Sequence, residues 1–86
     1  MDPARLYHPP VKRSMTIAGH PTSISLEPMF WNMLKLAAER DNVPISAIVA
    51  AIDLDRMQSP TPPGLASAIR LWLVANGETP NDVSDA

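Results

Sequence analysis

Thr22-Ser23-Ile24-Ser25-Leu26-Glu27-Pro28 alternates polar and apolar residues and then meets a proline that opens a helical pattern. A repeat of two marks a half-buried strand, because successive side chains point to opposite faces. Pro28 suits the first turn of a helix, where its missing N–H would have no intrahelical partner in any case. A single strand cannot satisfy its own backbone groups, and even a lone hairpin is marginal in water. The strand therefore needs a partner, from earlier in this chain or from a second copy of it.

Upstream, Ser14-Met15-Thr16-Ile17-Ala18 is also compatible with a strand, and Gly19-His20-Pro21 reads as the turn between the two. Two topologies stay open. Residues 14–18 fold back as a hairpin, or they run on as an arm while residues 22–26 pair between chains. Residues 1–11 lack periodicity and read as an extended N-terminal arm.

Downstream, a first helix is expected from Pro28 to about Arg40, with Phe30, Met33, Leu34, Ala37 and Ala38 as its buried face. Trp31 lies beside that face and, with Leu34, extends it toward a partner. Asp41-Asn42 is a stop, since Asn tolerates the left-handed conformation that ends many helices. A second helix starts near Pro44, carries Ile45, Ile48, Val49 and Ile52 on one side, and ends near Arg56 or Met57. Gln58-Ser59-Pro60-Thr61-Pro62-Pro63-Gly64 is a stiff connector. A third helix runs from roughly Leu65 to Asn76 with Leu65, Ile69, Trp72 and Leu73 as its stripe. Residues 77–86 read as a polar tail. The core domain is thus 12–76, mainly α with a short β-ribbon.

At 86 residues without cysteine, the chain has no disulfide or thiolate metal site to staple it. The formal net charge of −2 is unevenly spread: residues 1–25 set Arg5, Lys12 and Arg13 against Asp2, while residues 26–86 carry four basic and eight acidic side chains. The positive end is the end that carries the strand. No apolar run reaches the roughly 18 residues of a membrane span, and Asp2 with three early prolines does not read as a signal peptide, so a cytoplasmic location is expected. His8 and His20 have no metal-ligand spacing, no nucleophile sits beside a base, and no phosphate loop is present; neither catalysis, metal nor cofactor is expected. Asp53 and Asp55 point different ways on a helix and suit capping, solvation or a pair with Arg56. Arg70 lies away from the stripe of its helix, solvated or salt-bridged.

A short strand, a proline-led helix, a tight turn and a second helix resemble the ribbon-helix-helix pattern. Within it, Lys12-Arg13-Ser14, Gly19-His20, the Thr22–Pro28 run with Phe30-Trp31, and Ile48-Val49-Ala50-Ala51-Ile52-Asp53 resemble a group of small bacterial ribbon-helix-helix proteins. The resemblance implies an intertwined homodimer, here with an additional C-terminal helix, in which the strands of two chains pair and enter the DNA major groove, as in MetJ and Arc. It places Ile24, Leu26, Phe30, Leu34, Ile48, Val49 and Ile52 in the dimer core, Ser23 and Ser25 toward the bases, and Lys12, Arg13 and Ser46 at phosphates. Serine discriminates bases poorly, Pro21 donates nothing, and Pro44 takes one donor from the start of the second helix. The expected function is a dimeric DNA-binding transcriptional regulator. The alternatives are an antitoxin-like or adaptor dimer that docks a protein through the third helix and Trp72, and a small-ligand sensor with a pocket between helices.

Overall fold

The computed structural model describes residues 2–77. Its order is α1 (Pro3–Leu6), β1 (Val11–Ile17), β2 (His20–Leu26), α2 (Pro28–Asp41), α3 (Ile45–Arg56) and α4 (Leu65–Ala75). The expected extended arm contains one helical turn, α1, started by Asp2, whose Oδ1 accepts the Ala4 N–H at 3.0 Å. The expected polar tail lies outside the described residues beyond Gly77.

The strand finds its partner within the chain. β1 and β2 form an antiparallel hairpin in the register Val11↔Leu26, Arg13↔Ile24, Met15↔Thr22 and Ile17↔His20. The turn is Ala18-Gly19, both with positive φ (50° and 83°), the geometry of a two-residue type I′ turn. It thus falls before the expected Gly19-His20-Pro21, and His20 and Pro21 belong to β2. Pro21 is tolerated because Ile17↔His20 closes the ladder with hydrogen bonds. The next rung, Thr16↔Pro21, is then a non-bonded one, and the absent N–H falls on the open edge.

The inner face of the hairpin is Val11, Arg13, Met15, Ile17, His20, Thr22, Ile24 and Leu26, with Ile17, Ile24 and Leu26 buried and His20 exposed at the turn end. α2 covers this face with Trp31, Met33, Leu34, Ala37 and Ala38. Trp31, expected beside the buried face, is the more deeply buried of the two at 3% exposed, while Phe30 is partly buried and packs against the core. A buried indole needs an acceptor for its N–H. The start of β1 provides it, since Trp31 Nε1 donates to the Val11 carbonyl at 2.8 Å.

α2 ends in the left-handed Asn42 (φ 55°), with the Val43 N–H reaching back to the Ala38 carbonyl at 3.0 Å. α3 turns Ile48, Val49 and Ile52 inward, and packs on β1, α2 and α4. Arg56 pairs with Asp53 at 2.8 Å and donates through Nη1 to the Pro63 carbonyl, also at 2.8 Å, which pins the proline connector against α3. α4 buries Ala68, Ile69 and Leu73 and packs on β2, α2 and α3, with Leu65 and Trp72 partly buried. No helix among the described residues is long and apolar enough to cross a membrane.

Candidate nucleic-acid interface

Alternation along two paired strands sorts every side chain of the hairpin to one face or the other. The outer face consists of three rungs: Lys12 beside Ser25, Ser14 beside Ser23, and Thr16 beside Pro21. All six side chains are exposed. The Ser14 and Ser23 hydroxyl oxygens lie 3.4 Å apart across the middle rung. Seven residues per strand make a ribbon about 23 Å long, with strands roughly 4.8 Å apart. Such a ribbon fits the major groove of B-DNA, about 12 Å wide.

Of the expected phosphate residues, Lys12 is on this outer face. Arg13 is on the other: its guanidinium stacks over the Trp31 ring at 5.0 Å from the centroid, although its side chain remains exposed. Ser46 is half-buried in the first turn of α3, away from the ribbon in sequence. As the N-cap, Pro44 leaves the helix start without one of its four donors, as its lack of an N–H dictates; the N–H groups of Ile45 and Ser46 remain, and no side chain caps this helix end. Asp41, nearby, is engaged by Arg40 at 2.9 Å, and that hydrogen bond holds its carboxyl below the usual range. The corner between α2 and α3 is a shallow depression of about 480 Å³ lined by Lys35, Glu39, Asn42, Val43, Pro44 and Ile45. Sequence alone gives no signal for Lys35, which lies on α2, far along the chain from the N-terminal basic residues.

Ile24, Leu26, Leu34, Ile48, Val49 and Ile52 are all buried by elements of the same chain, at 6% exposure or less. The large apolar side chains left exposed include Leu54 and Met57 at the end of α3 and Leu71 and Val74 on α4. Trp72, the expected docking residue, is partly buried against the core, and the large apolar side chains that α4 leaves exposed are Leu71 and Val74.

The ribbon is tied to α4 by one ion pair. Arg70 donates from Nε and Nη2 to Glu27 Oε1 at 3.0 and 2.8 Å, and its guanidinium lies over the Phe30 ring at 5.6 Å. Glu27 joins β2 to α2, so this pair anchors the base of the ribbon. The hydrogen bond from Arg70 holds the Glu27 carboxyl below its ordinary value of 4.5. A carboxyl depressed in the folded state adds stability that is complete above its unfolded pKa and is lost as pH falls through the folded one. Chemical denaturation of wild type and Glu27→Gln between about pH 6 and pH 3 should therefore give a stability gap that narrows as the pH falls. A gap independent of pH would show that the pair contributes nothing.

A two-stranded antiparallel ribbon leading through a proline into paired helices is consistent with the ribbon-helix-helix fold, here with both strands from one chain. The family model described as ribbon-helix-helix domain matches residues 10–76, and the chain belongs to that family. Members are typically non-enzymatic proteins that form dimers and bind DNA. Comparison with curated proteins and with solved structures returned no match. Among the described residues, no three His, Asp or Glu side chains are grouped to hold a metal ion.

Proposed function

We propose that this protein is a dimeric DNA-binding transcriptional regulator of the bacterial cytoplasm that places the outer face of its β1–β2 hairpin in the major groove. The observation that carries the reading is the hairpin itself. Its outer face is wholly exposed, holds Lys12 among four hydroxyl side chains, and bears no acidic residue. Ser23 and Ser25 face the base edges, and Lys12 and Arg13 meet phosphate. The N-terminal turn of α3, with Ser46, gives a second phosphate contact by its free N–H groups.

Dimerisation in this reading rests on the family and on the exposed apolar residues Leu54, Met57, Leu71 and Val74. These side chains, rather than the residues already closed in the core, are the surface a second copy would cover. An antitoxin-like or adaptor role would use the same α4 residues.

Binding that neutralises phosphates releases counterions and weakens steeply with salt. Fluorescence anisotropy on labelled genomic fragments at two salt concentrations should show tighter binding in the lower salt. Lys12→Ala should weaken binding across all fragments and reduce the salt slope by about 1 for each phosphate left without its lysine. Failure to bind at low salt would sink the reading, and sedimentation of the same samples at micromolar concentration tests the dimer.

A further inference from the structure

We propose that the ribbon recognises B-form duplex DNA as a shape and discriminates little between sequences; this rests on the DNA-binding reading above. The outer face carries Lys12, Ser14, Thr16, Pro21, Ser23 and Ser25 and nothing else. Discrimination in the major groove comes chiefly from side chains that make two simultaneous hydrogen bonds to one base, such as Arg on guanine and Asn or Gln on adenine. Serine and threonine hydroxyls do not make such a pair, and the Lys12 ammonium is a point charge on a flexible stem. A hydroxyl rotates, and serves as donor or acceptor to suit whichever edge it meets. Pro21 has neither a side-chain donor nor an N–H.

The placement of Arg13 removes the remaining candidate. It is the hairpin's one guanidinium, and it lies on the inner side, stacked 5.0 Å from the centre of the Trp31 ring. To reach a guanine edge it would have to leave that stack and cross to the other face of the ribbon. The Ser14 and Ser23 hydroxyls, 3.4 Å apart, also have each other as an alternative partner, which further weakens their demand for a particular base.

Small side chains still make the ribbon selective in another respect. Serine, threonine and proline keep it slim, so that it suits a groove wide enough to admit two strands. The major groove of B-DNA has that width, whereas the major groove of A-form RNA is deep and narrow and closed to side chains. The substrate class is thus duplex DNA of any sequence, in preference to duplex RNA.

The test uses the full chain, titrated at low salt with about 20-bp duplexes that are A·T-rich, G·C-rich or mixed, and with a duplex RNA of the same length. The three DNA affinities should agree within about tenfold, against the roughly 10³–10⁷ ratios of specific binders. RNA should bind at least about tenfold more weakly. Selection from a random library should return no motif. Ser23→Asp, at an exposed position and checked for fold by circular dichroism, should abolish binding to every duplex by carrying a carboxylate into the negative potential of the groove.

A recovered motif, or a preference above about a hundredfold, overturns the shape reading and leaves the DNA-binding function standing. Equal affinity for RNA overturns insertion into the major groove, as does binding unaffected by Ser23→Asp. Binding to no duplex at all overturns both the inference and the function it rests on.

Discussion

Trp31→Ala is expected to cost about 3–5 kcal/mol of folding stability, the range for deleting a large buried aromatic. The residue is 3% exposed and does three things at once. It fills the space between the hairpin and α2, it satisfies its own N–H on the Val11 carbonyl at 2.8 Å, and its ring carries the Arg13 guanidinium. Domains of this kind have about 5–15 kcal/mol in total, and small ones sit toward the low end. The variant should therefore be substantially unfolded in urea concentrations that leave wild type intact. Trp31→Phe separates the contributions: it keeps most of the volume and forfeits one hydrogen bond of roughly 1 kcal/mol. Urea titration followed by far-UV circular dichroism measures both. A loss below about 1 kcal/mol for Trp31→Ala would mean that the hairpin is not held by this residue.

Leu34→Ala is the second large effect, at about 2–5 kcal/mol. Leu34 is fully buried on α2, among the side chains that join the hairpin to α3 and α4. The matching change in α3, Leu54→Ala, should lie within about 0.5 kcal/mol of wild type at concentrations low enough to keep the protein monomeric, because Leu54 is 70% exposed in the single chain. The pair of measurements also bears on assembly. If Leu54→Ala proves costly, and its cost grows with protein concentration, a second copy covers that side chain, since stability gained by association follows mass action. If it stays neutral at every concentration, Leu54 lies outside any dimer interface.

Much of the fold is legible in residue spacing because the signals are local. Pro28 opens α2 and Asn42 closes it in the left-handed conformation, both as their backbone chemistry dictates. The apolar repeat of α3 and the three prolines after it mark that helix and its connector without reference to the rest of the chain. Strand alternation likewise divides Ser23 and Ser25 from Ile24 and Leu26. Other features need long-range information. Phe30 and Trp31 are neighbours on α2, and periodicity alone cannot say which turns inward. The choice falls to Trp31 because the Val11 carbonyl, twenty positions earlier, accepts its N–H. The turn sits at Ala18-Gly19, one residue earlier than spacing suggests, because alanine gives no hint of a positive φ and the closing of the ladder imposes one on it.

The candidate site divides in the same way. Alternation puts Ser23 and Ser25 on one face, but only the register with β1 adds Ser14 and Thr16 to that face and sends Arg13 to the opposite one. Charge at the N-terminal end is visible as composition. Its split between the outer face of the ribbon, through Lys12, and the tryptophan stack, through Arg13, follows from pairing.

What the sequence determined by itself is the kind and order of elements: an alternating strand, a proline-led helix, and two further helices separated by a proline connector. These follow from backbone preference and side-chain periodicity, which act over a few residues. What only the tertiary structure decided is the strand's partner. Residues 22–26 pair with β1 of the same chain, and α2, α3 and α4 close over the inner face so that Ile24 and Leu26 are buried without a second copy. Pairing and burial depend on which distant surfaces meet, and a local pattern holds no record of that. The strand that needed a partner in the sequence thus finds it across the Ala18-Gly19 turn.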